Sequence, residues 1–204
     1  MAITRLNNNS ITSITALPSG VATGSFFKLH QIIASAGDST VIFDNTYINT
    51  DYDVYRFYLK NVLPGTDSVS LRAVFSFDNG SSWYTTSNYT KTLYESHEGT
   101  ASDITNSRHS TGSGSMQLTG SAATQGSADG EGSEGYIDFF NGTTQYKKLH
   151  CFLTYHFNGG QTATSQGVHE LKSDRTTRVN AIKFYYSSGN FSSAVFTLYG
   201  VKNA

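Results

Sequence analysis

The sequence predicts an all-β chain: an antiparallel β-sandwich of the jelly-roll type, preceded by an extended N-terminal arm. Three observations carry this expectation. Short stretches alternate apolar and polar residues at period two, as half-buried strands do. Gly, Asn, Asp and Ser separate those stretches, while only 2 prolines, Pro18 and Pro64, occur. Ala, Leu, Glu and Lys never gather at the 3.6-residue period of an amphipathic helix over two turns.

Composition narrows the class further. A length of 204 residues suits one all-β domain. A chain of this size buries about 70% of its unfolded surface without disulfide or metal staples. Charged residues make up only 14%, and Ser, Thr, Asn and Gly take their place. With 13 Tyr, 13 Phe, 1 Trp and a net charge of -1, the chain does not fit the disordered class. Its 14 basic residues face 15 acidic ones with no basic run, which argues against nucleic acid as a partner. No stretch reaches the length of a helical membrane span. The opening Met1–Leu6 lacks the apolar core of a signal peptide, so synthesis and assembly in the cytoplasm are expected. The single cysteine, Cys151, alternates with Leu149 and Leu153, which predicts a buried, inert thiol.

Taken in order, residues 1–24 form a distinct segment. They are rich in Asn, Ser and Thr, with Ile3, Leu6, Ile11, Ile14 and Leu17 spaced through them. Too polar to fold alone and too apolar for a simple tail, the segment reads as a docking arm. The alternative is a first strand pair of the same domain. Residues 25–204 then form the sandwich. Phe26–Ala34 and Val54–Asn61 are strands, the second with Tyr55, Phe57 and Leu59 on one face. Val69–Phe77 alternates most regularly. Asp78-Asn79-Gly80-Ser81-Ser82 reverses the chain, with Gly80 suited to a left-handed position, and Trp83–Leu93 is expected as the hairpin partner. Residues 95–135 are dominated by Ser, Gly, Thr and Ala and read as one long loop with a strand-like island at Met116–Leu118. Tyr136–Phe140 and Lys147–Phe157 are strong strands, and Val168–Lys172 a weaker one. Arg178–Tyr186 and Ala194–Val201 are expected as a closing hairpin. About nine strands result, as in sandwiches and barrels.

No catalytic, metal-binding or cofactor-binding residues are assigned. Six histidines occur without a metal-ligand spacing, and all read as surface residues. His150 and His156 share a strand face but stand roughly 20 Å apart, too far for one ion. Asp44, Asp51, Asp53 and Asp138 are candidate glycosidase carboxylates only if two face each other across a cleft. No GxSxG elbow and no phosphate-binding GK[ST] ending is present. The notable excess is tyrosine. A flat apolar ring with a polar tip suits sugar stacking and protein interfaces, so Tyr84, Tyr89, Tyr94, Tyr155 and Tyr186 are the candidate surface-recognition residues.

Four segments carry a family resemblance: Met1-Ala2-Ile3-Thr4-Arg5-Leu6, Ala16-Leu17-Pro18-Ser19-Gly20-Val21, Phe75–Trp83 and Phe196-Thr197-Leu198-Tyr199-Gly200-Val201-Lys202. Together they resemble small structural proteins of tailed bacteriophages. The resemblance implies a non-enzymatic virion protein that contacts other virion proteins as a homo-oligomer, with a trimer favoured. It implies a tail-fibre or appendage domain that touches host surface glycans. The alternatives are a capsid decoration protein docked by its arm, or a carbohydrate-binding or carbohydrate-processing module.

Overall fold

The computed structural model describes residues 26–97, 104–120, 124–157 and 161–201. The expected arm, with Ile3, Leu6, Ile11, Ile14 and Leu17, lies outside the described residues. Twelve strands are described: β1 (Phe26–Ser35), β2 (Val41–Phe43), β3 (Val54–Pro64), β4 (Leu71–Ser76), β5 (Tyr89–His97) and β6 (Ile104–Ser113). Then follow β7 (Met116–Gln117), β8 (Ser133–Phe140), β9 (Tyr146–Phe157), β10 (Gln161–Lys172), β11 (Ala181–Tyr186) and β12 (Phe191–Val201). They build an eight-stranded sheet, β1-β12-β3-β8-β9-β10-β5-β6, and a four-stranded sheet, β2-β11-β4-β7. Among the described residues, neighbouring strands in both sheets pair antiparallel. The sandwich is as expected. This strand order does not establish jelly-roll wiring, which needs eight strands in two Greek keys.

Alternation decides which side chains meet between the sheets. On β3, Tyr55, Phe57 and Leu59 turn inward and are buried, while Arg56, Tyr58 and Lys60 turn outward. The Phe57 ring lies 5.2 Å from Phe43 of the small sheet and 5.2 Å from Phe184. Phe75 reaches across to Phe139 at 4.8 Å, and Phe184 to Phe196 at 5.0 Å. One continuous core of large aromatic rings therefore holds the two sheets together.

Several expected connections differ. Asn79 and Gly80 both take positive φ, so the turn after β4 forms as its residues dictate. Yet among the described residues the chain beyond it makes one backbone–backbone return bond to β4, Tyr84 N–H to the Phe75 carbonyl, and then leaves. β5 joins the large sheet between β10 and β6, where a nine-residue strand finds longer partners than the six residues of β4. The expected closing hairpin is likewise absent: β11 lies in the small sheet and β12 in the large one, so their connection crosses the sandwich. Within 95–135, read as a loop, β6 pairs with β5 over most of its length. Its polar sequence hid it, because an edge strand is held by backbone bonds whatever its side chains. β10 is also longer than expected. Its inward residues Ala163, Ser165 and Gly167 are small or polar and so resemble a loop.

Phe57 is fully buried between both sheets. Phe57→Ala is expected to cost about 3–5 kcal/mol of stability, read from the shift of the urea unfolding midpoint at unchanged slope.

Candidate binding face

The tyrosines singled out from sequence divide sharply. Tyr89, Tyr155 and Tyr186 are core residues, which corrects their assignment to surface recognition. Each lies on the inward parity of its strand, and each hydroxyl is spent inside. Tyr89 Oη donates to the Tyr84 carbonyl at 2.7 Å and accepts from the Phe75 N–H at 3.1 Å. Tyr155 Oη donates to Glu95 Oε1 at 3.1 Å. Tyr186 Oη donates to the Val62 carbonyl at 2.8 Å. Tyr84 is half-buried against Phe77, 5.8 Å between rings, with its hydroxyl 3.2 Å from Asp174. Only Tyr94 stands exposed, on the outer face of β5.

That outer face gathers the exposed apolar surface. Of the large apolar side chains exposed among the described residues, all but Ile42 belong to outward positions of the large sheet. They are aligned by register. Thr197, Tyr58, Tyr136, Phe152, Gln166 and Tyr94 are successive partners across β12, β3, β8, β9, β10 and β5. Beside this row runs a second one: Tyr199, Arg56, Asp138, His150, Val168 and Thr92.

The two ends of the face differ in chemistry. At the β3 end, Arg56 forms a bidentate pair with Asp138, both contacts 2.6 Å. Its guanidinium also lies 4.5 Å from the Tyr136 ring centre, 5.3 Å from Phe26 and 5.9 Å from Tyr58. The carboxylate hydrogen bonds hold Arg56 well above its ordinary pKa. This end satisfies itself. At the β5 end the face opens into a shallow groove of about 360 Å³. Tyr136, Phe152, Tyr94, His150, Gln166 and Val168 line it, with the backbone strands at Cys151 and Gly167 as its floor. Phe152 is 43% exposed and Tyr94 42%. No Asp, Glu, Lys or Arg is among the described residues that line it.

The chain matches no family model, no curated protein and no solved structure. The face itself therefore carries the functional reading.

Asp138 is engaged by Arg56 and Asp53 by Arg178 at 2.6 Å, so each carboxylate already serves a guanidinium. Asp44 accepts the Thr46 N–H at 2.9 Å within its turn. Among the described residues no three His, Cys, Asp or Glu side chains converge as a metal site. His150 and His156 project from the outer side of β9, and His30 stacks on Tyr47 at 4.1 Å. His169 corrects the surface reading of the histidines, because it is fully buried. Its Nε2 lies 3.6 Å from Cys151 Sγ, and its Nδ1 has no hydrogen-bond partner among the described residues. Burial pushes the Cys151 thiol up to about 12 and, with Lys91 nearby, the His169 imidazole down to about 3. Both groups are neutral at pH 7, so the pair holds no thiolate and Cys151 is the buried, inert thiol expected.

The residues missed from sequence, Phe152, His150, Gln166 and Tyr136, were legible through parity. Cys151 pointing inward with Leu149 and Leu153 sends His150 and Phe152 outward, and places Tyr155 inside with Cys151.

His169 gives the fold a pH dependence. Its imidazole titrates near 6.5 when unfolded but only near 3 when folded. Between those values the unfolded chain binds more protons, so stability is full above 6.5 and falls as pH drops. The expected loss is about 2 kcal/mol between pH 6.5 and 5. Urea midpoints across that range measure it, and His169→Leu is expected to flatten the slope.

Proposed function

We propose that this chain is a non-enzymatic structural domain of a tailed-phage virion, of the tail-fibre or appendage type. In this reading it presents the outer face of its large sheet to the host surface, and surface glycan is the partner. The single observation behind it is the aligned aromatic row that ends in an open, uncharged groove. Monomeric proteins rarely leave such contiguous apolar surface without a binding use. Ring faces beside an amide and an imidazole suit a partner with both apolar faces and hydroxyls. The phage-like sequence phrases and the low surface charge support the virion setting. In a homo-oligomeric appendage, a trimer for example, shallow grooves that bind weakly alone add up through multivalency.

Retention of labelled full-length chain on bacterial envelopes tests this reading. The Tyr94→Ala/Phe152→Ala double variant is expected to lose retention at least tenfold, and deletion of residues 1–24 to preserve it. Absence of envelope retention, together with capsid binding that vanishes when residues 1–24 are deleted, would move the role to capsid decoration.

A further inference from the structure

The groove has a direction, set by strand register. Tyr136, Phe152, Gln166 and Tyr94 stand opposite one another on neighbouring strands, so they advance by one strand spacing each, about 4.8 Å. Tyr58 continues the line one strand beyond Tyr136. The Tyr136 and Phe152 rings are 6.0 Å apart and within 25° of parallel. Gln166 lies between Phe152 and Tyr94, which are therefore roughly 10 Å apart across β10. Ring, ring, amide, ring is the resulting order across the sheet. No comparable line runs along one strand: on β9 the outward residues are Tyr146, Lys148, His150, Phe152, Thr154 and His156, so its two carbocyclic rings stand six residues, roughly 20 Å, apart with polar groups between them.

The geometry points to a neutral, extended glycan that lies across the strands along this row, with Phe152 and Tyr94 stacking sugars on either side of Gln166. This rests on the binding reading above and adds the ligand's charge class, its orientation and the residues that discriminate it. A pyranose chain repeats an apolar ring face and a rim of hydroxyls at close to one strand spacing. An aromatic ring takes the face, and the Gln166 amide, with one acceptor and two donors, takes the rim. An anionic glycan needs cations, and the described residues lining the groove include no Lys or Arg. Arg56 is committed to Asp138. The face is shallow and open, as a site for the middle of a long chain must be, since an end-binding site would be closed on one side.

Calorimetric titration of the full-length protein tests the inference. The probes are hexasaccharides and disaccharides of β-linked glucose and of β-linked N-acetylglucosamine, with hexagalacturonate as the anionic comparison. At least one neutral hexasaccharide is expected to bind about tenfold or more tighter than its disaccharide. Phe152→Ala and Tyr94→Ala are each expected to weaken it about tenfold, the loss of one stacking contact. Tyr58→Ala should weaken the hexasaccharide and leave the disaccharide unchanged. Phe140→Ala, an exposed ring off the row, should change neither. All of these positions are solvent-facing, and an unchanged Tm verifies folding of each variant.

Four outcomes overturn the inference: no neutral hexasaccharide binds, hexagalacturonate binds more tightly, Phe140→Ala weakens binding as much as Phe152→Ala, or light scattering shows self-association that the Phe152→Ala and Tyr94→Ala variants abolish. If the wild type is still retained on envelopes while all neutral probes fail, the host-contact reading stands and only the glycan class and direction fall. If neutral probes bind along the row but envelopes do not retain the chain, the site stands and the virion role falls.

Discussion

Phe57 sits between Phe43 and Phe184, 5.2 Å from each, and this contact fixes more than a hydrophobic core. It sets the parity of β3. With Phe57 inward, Tyr58 must point outward, because successive side chains of a strand alternate. Antiparallel register carries that choice along the sheet: Tyr58 opposite Tyr136, Tyr136 opposite Phe152, Phe152 opposite Gln166, Gln166 opposite Tyr94. Partners directly opposite share a face. A one-residue slip at any ladder would bury one part of the row and expose the core in its place. The outward row is thus a consequence of how the interior packs.

The same logic explains why the face divides into two halves. Arg56 and Asp138 are direct partners on β3 and β8, so their bidentate contact follows from register. Once formed, it holds the guanidinium over Tyr136 and near Phe26 and Tyr58. Those rings gain an internal partner. Two strands further on, the equivalent positions are His150 and Val168, with no ion pair between them, and the neighbouring rings remain open to solvent.

Much of this was legible in the sequence. Alternation in 54–61, 136–140 and 147–157 identified strands that the structure keeps, and Cys151 was read correctly as buried. Composition misled where it stood in for parity. The abundance of tyrosine makes Tyr89, Tyr155 and Tyr186 read as surface residues, yet Tyr155 shares its face with Cys151 and Leu153. Pairing was the other blind spot. The Asn79-Gly80 turn announces a hairpin, and local chemistry does form the turn, but partner choice is a long-range competition. β5 found β10 and β6 in place of β4. Short-range signals cannot decide between adjacent and distant partners of similar pattern. The polar run Ile104–Ser113 became a strand because backbone bonds to β5 need no apolar face.

The two sheets treat their outer faces differently, and the contrast argues for use of the larger one. On the small sheet, Trp83 lies over the Lys183 ammonium at 4.5 Å, with Tyr185 at 5.5 Å. Val74 has outward parity there and is still only 1% exposed. The chain thus covers part of its small sheet, while Ile42, opposite Lys183, keeps 41% of its surface in solvent. The large sheet has more outward aromatic surface to hide, yet Tyr94 and Phe152 keep more than two-fifths of theirs in solvent. Most of the large apolar side chains exposed among the described residues lie on the large sheet, and register sets Tyr58, Phe152 and Tyr94 among them in a straight line. Scattered exposure needs no explanation, but an aligned, uncharged and uncovered row is the arrangement that recognition of a repeating partner requires.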